Sequence, residues 1–266
     1  MRAYELIAEL EQAGKDANYT HTCDTIKAGD PERPLRKVGV TMMPTAEVLE
    51  QAALWGADML IVHEPLYFVH HDNIEGREED PVIAKKKLFV EECGITIYRY
   101  HDHMHHNWPD LICEGEMKSI DVDGLLAHGY YYATSRYFLD SPMTALQMAK
   151  RIEEKLGIAH VRVIGDTKSR MSRVSCCFGA TGHLTDEVAN GQELVLCGEA
   201  DEWCDCEYFR DAAKFGIHAA LLVLGHVGSE RDGMKLLAER IGEGHPDLDV
   251  RYFDCGEAYT YTDKQA

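Results

Sequence analysis

Three stretches of the chain carry side chains able to do chemistry. His63 and Glu64 follow the apolar run Asp58-Met-Leu-Ile-Val62 and precede Pro65. Residues 101–106 read His-Asp-His-Met-His-His, four imidazoles and a carboxylate in six positions. His226 and Glu230 stand four apart at the start of a helical pattern, so both side chains can face one point. Imidazole nitrogen with carboxylate oxygen is a donor set for zinc, manganese, iron or nickel rather than calcium. A carboxylate can bridge two ions, and five or six ligands allow a pair of metals about 3.5–4 Å apart that activates water for a displacement. Taken singly, each stretch has an ordinary reading. A His-Glu pair at a strand end is commonly a hydrogen-bonded surface pair, and a His-x-x-x-Glu is commonly a helix cap with a dipole-compatible acid. Their joint occurrence at strand ends points to a metal.

The elements that must position them follow from the pattern. The run 58–62, bounded by Gly56 and Pro65, reads as a buried strand whose carboxyl end delivers His63 and Glu64. Open α/β sheets place their ligands at such ends. Residues 36–41 read as a strand and 45–55 as a helix capped by Thr45, which with 58–62 makes a βαβ unit of parallel strands. Pro81 starts a helix that Gly94 ends, and 95–98 is a third strand running straight into the histidines. Residues 4–12 read as a helix and 16–34 as a polar loop. Further on, 130–139, 161–164, 174–178, 194–197 and 218–224 read as strands, with helices over 142–156 (Ser141 as cap, Pro142 first), near 111–117, near 202–214 and after His226. Residues 249–253 are extended. The expectation is an α/β protein of two similar-sized lobes with mixed or parallel sheets, the metal site lying at strand carboxyl ends between them. Residues 1–128 and 215–266 form the first lobe and 129–214 the second.

Composition narrows the class. The formal charge of −19, from 46 acidic against 27 basic residues without a basic cluster, opposes nucleic acid and anionic membranes. No run of eighteen apolar residues and no basic-apolar leader is present, so a soluble cytoplasmic protein is expected. Nine irregularly spaced cysteines suit reduced thiols better than a disulfide framework. Cys176 and Cys177 read as core packing. Cys204-Asp-Cys206 beside Trp203 is a candidate metal or redox pair, although no second cysteine pair stands at zinc spacing. The His-x-His within 101–105 also suggests a metal-dependent hydrolase barrel, but eight βα units do not fit this chain.

With the clusters named, the chain resembles the Nif-three-like dinuclear-metal hexamer family, also described as homologues of a type 2 GTP cyclohydrolase I. The likeness runs through Thr22-Cys-Asp-Thr-Ile-Lys-Ala-Gly29-Asp30, Gly56 to Phe68 with His63-Glu64-Pro-Leu, Gly94-Ile-Thr-Ile-Tyr98 followed by His101, and Gly225-His226-Val-Gly-Ser-Glu230-Arg-Asp-Gly233. The family's long form has an inserted middle domain, for which this chain is too short. The resemblance implies a two-domain α/β subunit, a toroidal homohexamer, and two metals per subunit on the inner side of the ring. It implies His63, Glu64, His105, His226 and Glu230 as metal ligands. Glu64 stands where the family has a second histidine and His105 where it has an aspartate, and His101 falls in the second shell. These exchanges leave one or two ions per subunit open.

The function expected is therefore a metal-dependent hydrolase of a small-molecule substrate, with His101 or His103 moving a proton. The alternative is a non-catalytic metal-binding ring serving as scaffold, metallochaperone or regulatory partner.

Overall fold

The computed structural model describes residues 1–15, 19 and 21–262. The chain divides into two compact units, one of Met1–Leu111 with Met234–Gly256 and one of Ile112–Gly233 with Glu257–Ala266.

The first unit is built on a five-stranded sheet. It contains β1 (Ile26–Ala28), β2 (Lys37–Thr41), β3 (Met59–Val62), β4 (Thr96–Arg99) and the chain's last strand, β11 (Asp249–Tyr252), in the order β1-β4-β3-β2-β11. The last four of these run parallel, and β1 lies antiparallel along β4. All four residues of β3 are buried, as expected of a parallel strand covered on both faces. Helix α1 (Ala3–Leu10) opens the unit. Helix α2 (Ala46–Trp55) begins at Thr45, whose hydroxyl accepts the Val48 N–H at 3.2 Å, and ends at Gly56 with φ 81°. Helix α3 (Pro81–Cys93) begins at Asp80, whose Oδ1 accepts the Val82 and Ile83 N–H groups, and Pro81 occupies its first turn. Val48, Leu49 and Ala52 of α2 and Val90 of α3 share one core with Leu60, Val62 and Ile97 of the sheet. In the parallel register Val62 pairs with Arg99, so the residues after β3 and β4 leave the sheet at one rim. The short helix α4 (Asp102–His105) follows there.

The second unit carries β5 (Gly124–His128), β6 (Ser135–Met143), β7 (Arg162–Gly165), β8 (Met171–Cys177), β9 (Leu194–Cys197) and β10 (Ala220–Val223), in the order β5-β6-β8-β9-β10-β7. Strands β8, β9 and β10 are parallel, while β5, β6 and β7 pair antiparallel with their neighbours. Its helices are α6 (Ala145–Leu156), α7 (Leu184–Ala189) and α8 (Glu207–Lys214), the last entered through a π-helical turn at Glu202–Cys206. Helix α5 (Leu111–Ile120) starts at the boundary, and α9 (His226–Gly244) begins in this unit and ends in the first.

Three details differ from the sequence reading. The stretch read as a loop over 16–34 contains β1, which at three residues is too short to display alternation. Pro142 does not open a helix: β6 continues to Met143, the proline falls where the β6–β8 register shifts, and Thr144 caps α6. A missing N–H is tolerated at such an irregularity. Residues 112–128 and 215–233, read as part of the first lobe, belong to the second unit because β5 pairs with β6 and β10 pairs with β9 and β7. Among the described residues no helix is long and apolar enough to cross a membrane.

Candidate metal centre

His63 directly follows β3 and is fully buried. Its Nδ1 lies 3.1 Å from the Tyr100 carbonyl oxygen. A carbonyl only accepts, so Nδ1 carries the proton and Nε2 presents the lone pair. His101 Nδ1 lies 2.9 Å from Asp102 Oδ1, and His105 Nδ1 lies 2.8 Å from Asp110 Oδ2. In each case a fixed acceptor orients the ring from behind, as it does for metal-bound histidines. The three rings gather, with centroids 4.6 Å (His63–His101), 5.1 Å (His63–His105) and 4.8 Å (His101–His105) apart. One donor atom from each lies within 4.8 Å of the others, a spacing that suits a single ion. Burial, reinforced by His101 and His105, holds the His63 pKa well below the usual histidine value, so its ring stays neutral.

The rigidity of this cluster comes from a segment 77 or more positions away. Asp24 Oδ1 accepts the backbone N–H groups of His101 (2.7 Å) and Asp102 (2.9 Å), and Oδ2 accepts the N–H (2.8 Å) and bonds Nδ1 (2.7 Å) of His103. Asp102 reciprocates: its Oδ2 accepts the Cys23 N–H and the Thr22 hydroxyl, both at 2.9 Å. Burial raises the Asp102 pKa, but bonds from His101, Cys23 and Thr22 outweigh it and hold the carboxyl well below its ordinary range. Cys23 Sγ also lies within 4.8 Å of donor atoms of His101 and Asp102. Burial pushes its thiol pKa up, opposed by Arg99, so it acts as a hydrogen-bond donor at neutral pH.

Glu64 is placed differently. Its Oε2 pairs with Arg99 Nη2 at 3.2 Å, and the Arg99 side chain is fully buried. Arg99 Nε donates to the His63 carbonyl at 2.8 Å and Nη1 to the His70 carbonyl. The loop bearing His70 is itself pinned, because Asp72 accepts the Tyr67 N–H at 2.6 Å and forms a buried ion pair with Lys27 at 3.2 Å.

In the second unit His226 heads α9 after Gly225, which adopts φ 89°. Its Nδ1 meets Glu199 Oε1 at 2.6 Å and its Nε2 meets Glu230 Oε2 at 3.2 Å. Ser229 Oγ accepts the Gly179 N–H at 3.0 Å and donates to the His226 carbonyl at 2.9 Å. A Cβ at Gly179 would lie 2.3 Å from Glu230 Oε1 and the backbone there has φ 66°, so glycine suits this approach both in space and in conformation.

Of the residues singled out from sequence, His63, His101 and His105 come together. His103 is bound to Asp24 and stacked on Tyr19 at 4.0 Å. Glu64 pairs with Arg99 and also places a carboxylate oxygen within 4.8 Å of a His63 ring nitrogen, and His226 pairs with Glu230. Cys204 is exposed and Cys206 half-buried on the π-helical turn, and neither joins a three-donor group among the described residues. Sequence reasoning missed Asp24, Asp110, Arg99 and Glu199 as partners. Only the likeness of the 22–30 stretch hinted at Asp24.

These features define a mixed α/β protein with a histidine cluster able to hold a metal ion. Residues 1–255 match the Duf34/NIF3 (NGG1p interacting factor 3) family, and the chain belongs to it. It is 23% identical over 239 residues to a GTP cyclohydrolase 1 type 2 homolog of Clostridium perfringens, covering 88% of this chain and 87% of that protein. It is 25% identical over 235 residues to the Escherichia coli protein of the same name, covering 83% and 84%. Among solved structures, protein ybgI, of unknown function, superposes with TM-score 0.77 at 22% identity over 97% of this chain and 100% of that one. A Bacillus cereus protein related to NIF3 gives TM-score 0.77 at 13% identity over 98% and 99%. These structural likenesses establish the fold.

Proposed function

We propose that this protein is a divalent-metal-dependent hydrolase of a small molecule. The observation that carries the reading is the gathering of His63, His101 and His105, each ring fixed through Nδ1 by a separate acceptor. The donors fit a borderline ion such as zinc, iron or nickel. When bound, such an ion lowers the pKa of water toward neutrality and polarises a carbonyl or phosphoryl oxygen. Around it, Tyr100, Asp102 and Asp110 orient the imidazoles, and Asp24 holds the whole 101–103 turn. The proton-moving role falls to His103, whose Nδ1 is bonded to Asp24 so that one tautomer is favoured. His226 and Glu230 enter as further ligands on their sequence pattern.

The name shared by the curated relatives directs the substrate search to ring opening of purine nucleotides and to phosphoester hydrolysis. The test compares chelator-stripped and metal-reloaded protein on that panel. Turnover that returns with metal and is abolished by His105→Ala supports the reading. A metal that exchanges freely, with no turnover on any substrate, replaces the enzyme with a metal-binding scaffold. By the same proposal the subunits form a homohexamer in the cytoplasm, which mass measurement in solution and cell fractionation check.

A further inference from the structure

We infer that the outer edge of β5 is an interface between two copies of this chain, paired antiparallel about a two-fold axis so that their second-unit sheets run on as one. The inference stands on the sheet edge alone and needs neither a metal nor the ring assembly proposed above.

A sheet edge presents backbone N–H and C=O groups with no strand to receive them, and soluble chains guard such edges with charges, prolines, very short strands or a covering segment. The other three edges of the two sheets are guarded in this way. Strand β1 has three residues and carries Lys27, β11 carries Asp249 and Arg251, and β7 opens with Arg162, which pairs with Glu202 at 3.5 Å. Strand β5 has none of these devices. It reads Gly-Leu-Leu-Ala-His, without proline, carboxylate, lysine or arginine. Among the described residues it pairs with β6 alone. Leu125 is 67% exposed, and Tyr130 and Tyr132, just past the strand, are 46% and 47% exposed. Leu125 lies opposite Phe138 in the β5–β6 register, so the apolar strip continues inward from the edge.

Charge selects a second copy as the occupant. At −19 two copies repel over most of their surface, and β5 is an uncharged strip where they can touch. The two ends of the strip differ in sign. At its start stand Asp123 and Asp140, both exposed and joined by the Asp140 N–H to the Asp123 carbonyl at 3.0 Å. At its far end Arg136 lies opposite Ala127 on β6, its Nε donating to the His128 carbonyl at 2.6 Å. Antiparallel pairing sets the acidic end of one copy against the basic end of the other, whereas parallel pairing sets like against like. An identical strand therefore supplies its own complement. A two-fold contact uses each edge once, and with β7 guarded the sheet closes at two copies instead of growing. With Leu126 on the axis, Leu125 faces Ala127 of the second copy.

The experiment follows the mass of the full chain by analytical ultracentrifugation and native mass spectrometry. It compares the wild type, Leu126→Lys, Leu126→Glu and an equal mixture of the two variants, with circular dichroism melts to show that each is folded. The wild type is expected as an assembly with an even number of copies. Each variant alone should dissociate at least about tenfold more readily, because like charges meet on the axis. The mixture should regain the wild-type mass with one copy of each kind in every pair. Hydrogen exchange on the wild type reads the same edge without a substitution: amides within 124–128 should exchange more slowly at high protein concentration than on dilution. The inference is overturned by a monomeric wild type, by folded variants that keep the wild-type mass, by a mixture that stays dissociated, or by edge amides whose exchange ignores concentration. A ring built through other surfaces gives the second of these outcomes, and all of them leave the metal-binding reading as it stands.

Discussion

Removing Asp24 should loosen the histidine turn more than any other single change outside the cluster. Asp24 is buried and accepts three backbone N–H groups and bonds one imidazole nitrogen at 2.7–2.9 Å. Helix α4, which these bonds start, has only four residues and so almost no stability of its own. In Asp24→Ala four donors lose their acceptor. At about 1–3 kcal/mol for each buried unsatisfied group, reduced by water entry and relaxation, the loss should total roughly 3–5 kcal/mol. Asp24→Asn keeps one oxygen for two of the donors and turns an NH₂ toward the other two, so about 2–4 kcal/mol is expected. Urea titrations followed by circular dichroism give the stability, and zinc competition gives the affinity, which should fall in both variants because His101 is no longer held. An Asn variant as stable as the wild type would refute the reasoning, since it would mean the carboxylate's second oxygen does nothing. An Ala variant losing under about 1 kcal/mol would refute it as well.

Other outcomes follow from the same contacts. The metal-free protein should lose stability as pH falls below the ordinary histidine value of about 6.5, because the His63 pKa is lower folded than unfolded and the unfolded chain then binds the extra proton. Asp102, whose pKa is also depressed, adds a second loss below about pH 4, and urea midpoints from pH 8 to 3 should show both. Gly179→Ala should destabilise by about 1–3 kcal/mol, since its Cβ meets Glu230 at 2.3 Å and φ is 66°; a neutral thermal melt would contradict this. Thr144→Ala should cost about 1 kcal/mol by removing the α6 cap, whereas Ser141→Ala, which the sequence reading made the cap, should cost nothing measurable in a denaturant titration.

Local signals make much of the first unit readable. Strand β3 is announced by four apolar residues between Gly56 and Pro65, and α2 and α3 by Thr45, Pro81 and their closing glycines. The second unit is harder because its signals compete. Ser141-Pro142 is a good helix start by type, yet Thr144 with Gln147 forms the capping box, and the proline is absorbed by a register shift in β6. Unit membership is harder still, since β5 and β10 read like any other strands and only their pairing partners assign them.

The site shows the same division between what is local and what is not. Residue types near His63 and in 101–106 announce a cluster able to hold a metal, because so many imidazoles together are unusual in an ordinary core. What orients each of them depends on pairs formed across the fold. Arg99 lies 35 positions from Glu64, and Asp24 lies 79 from His103. The Glu64 carboxylate, read from the sequence only as a candidate ligand, also answers a buried guanidinium, a demand that no local pattern announces. An imidazole standing where an aspartate is expected, as His105 does, looks like a lost charge until Asp110 is found behind it at 2.8 Å. Zinc added to the His63, His101 and His105 cluster should bind more weakly when pH drops far enough to protonate the imidazoles, which chelator competition across pH would check.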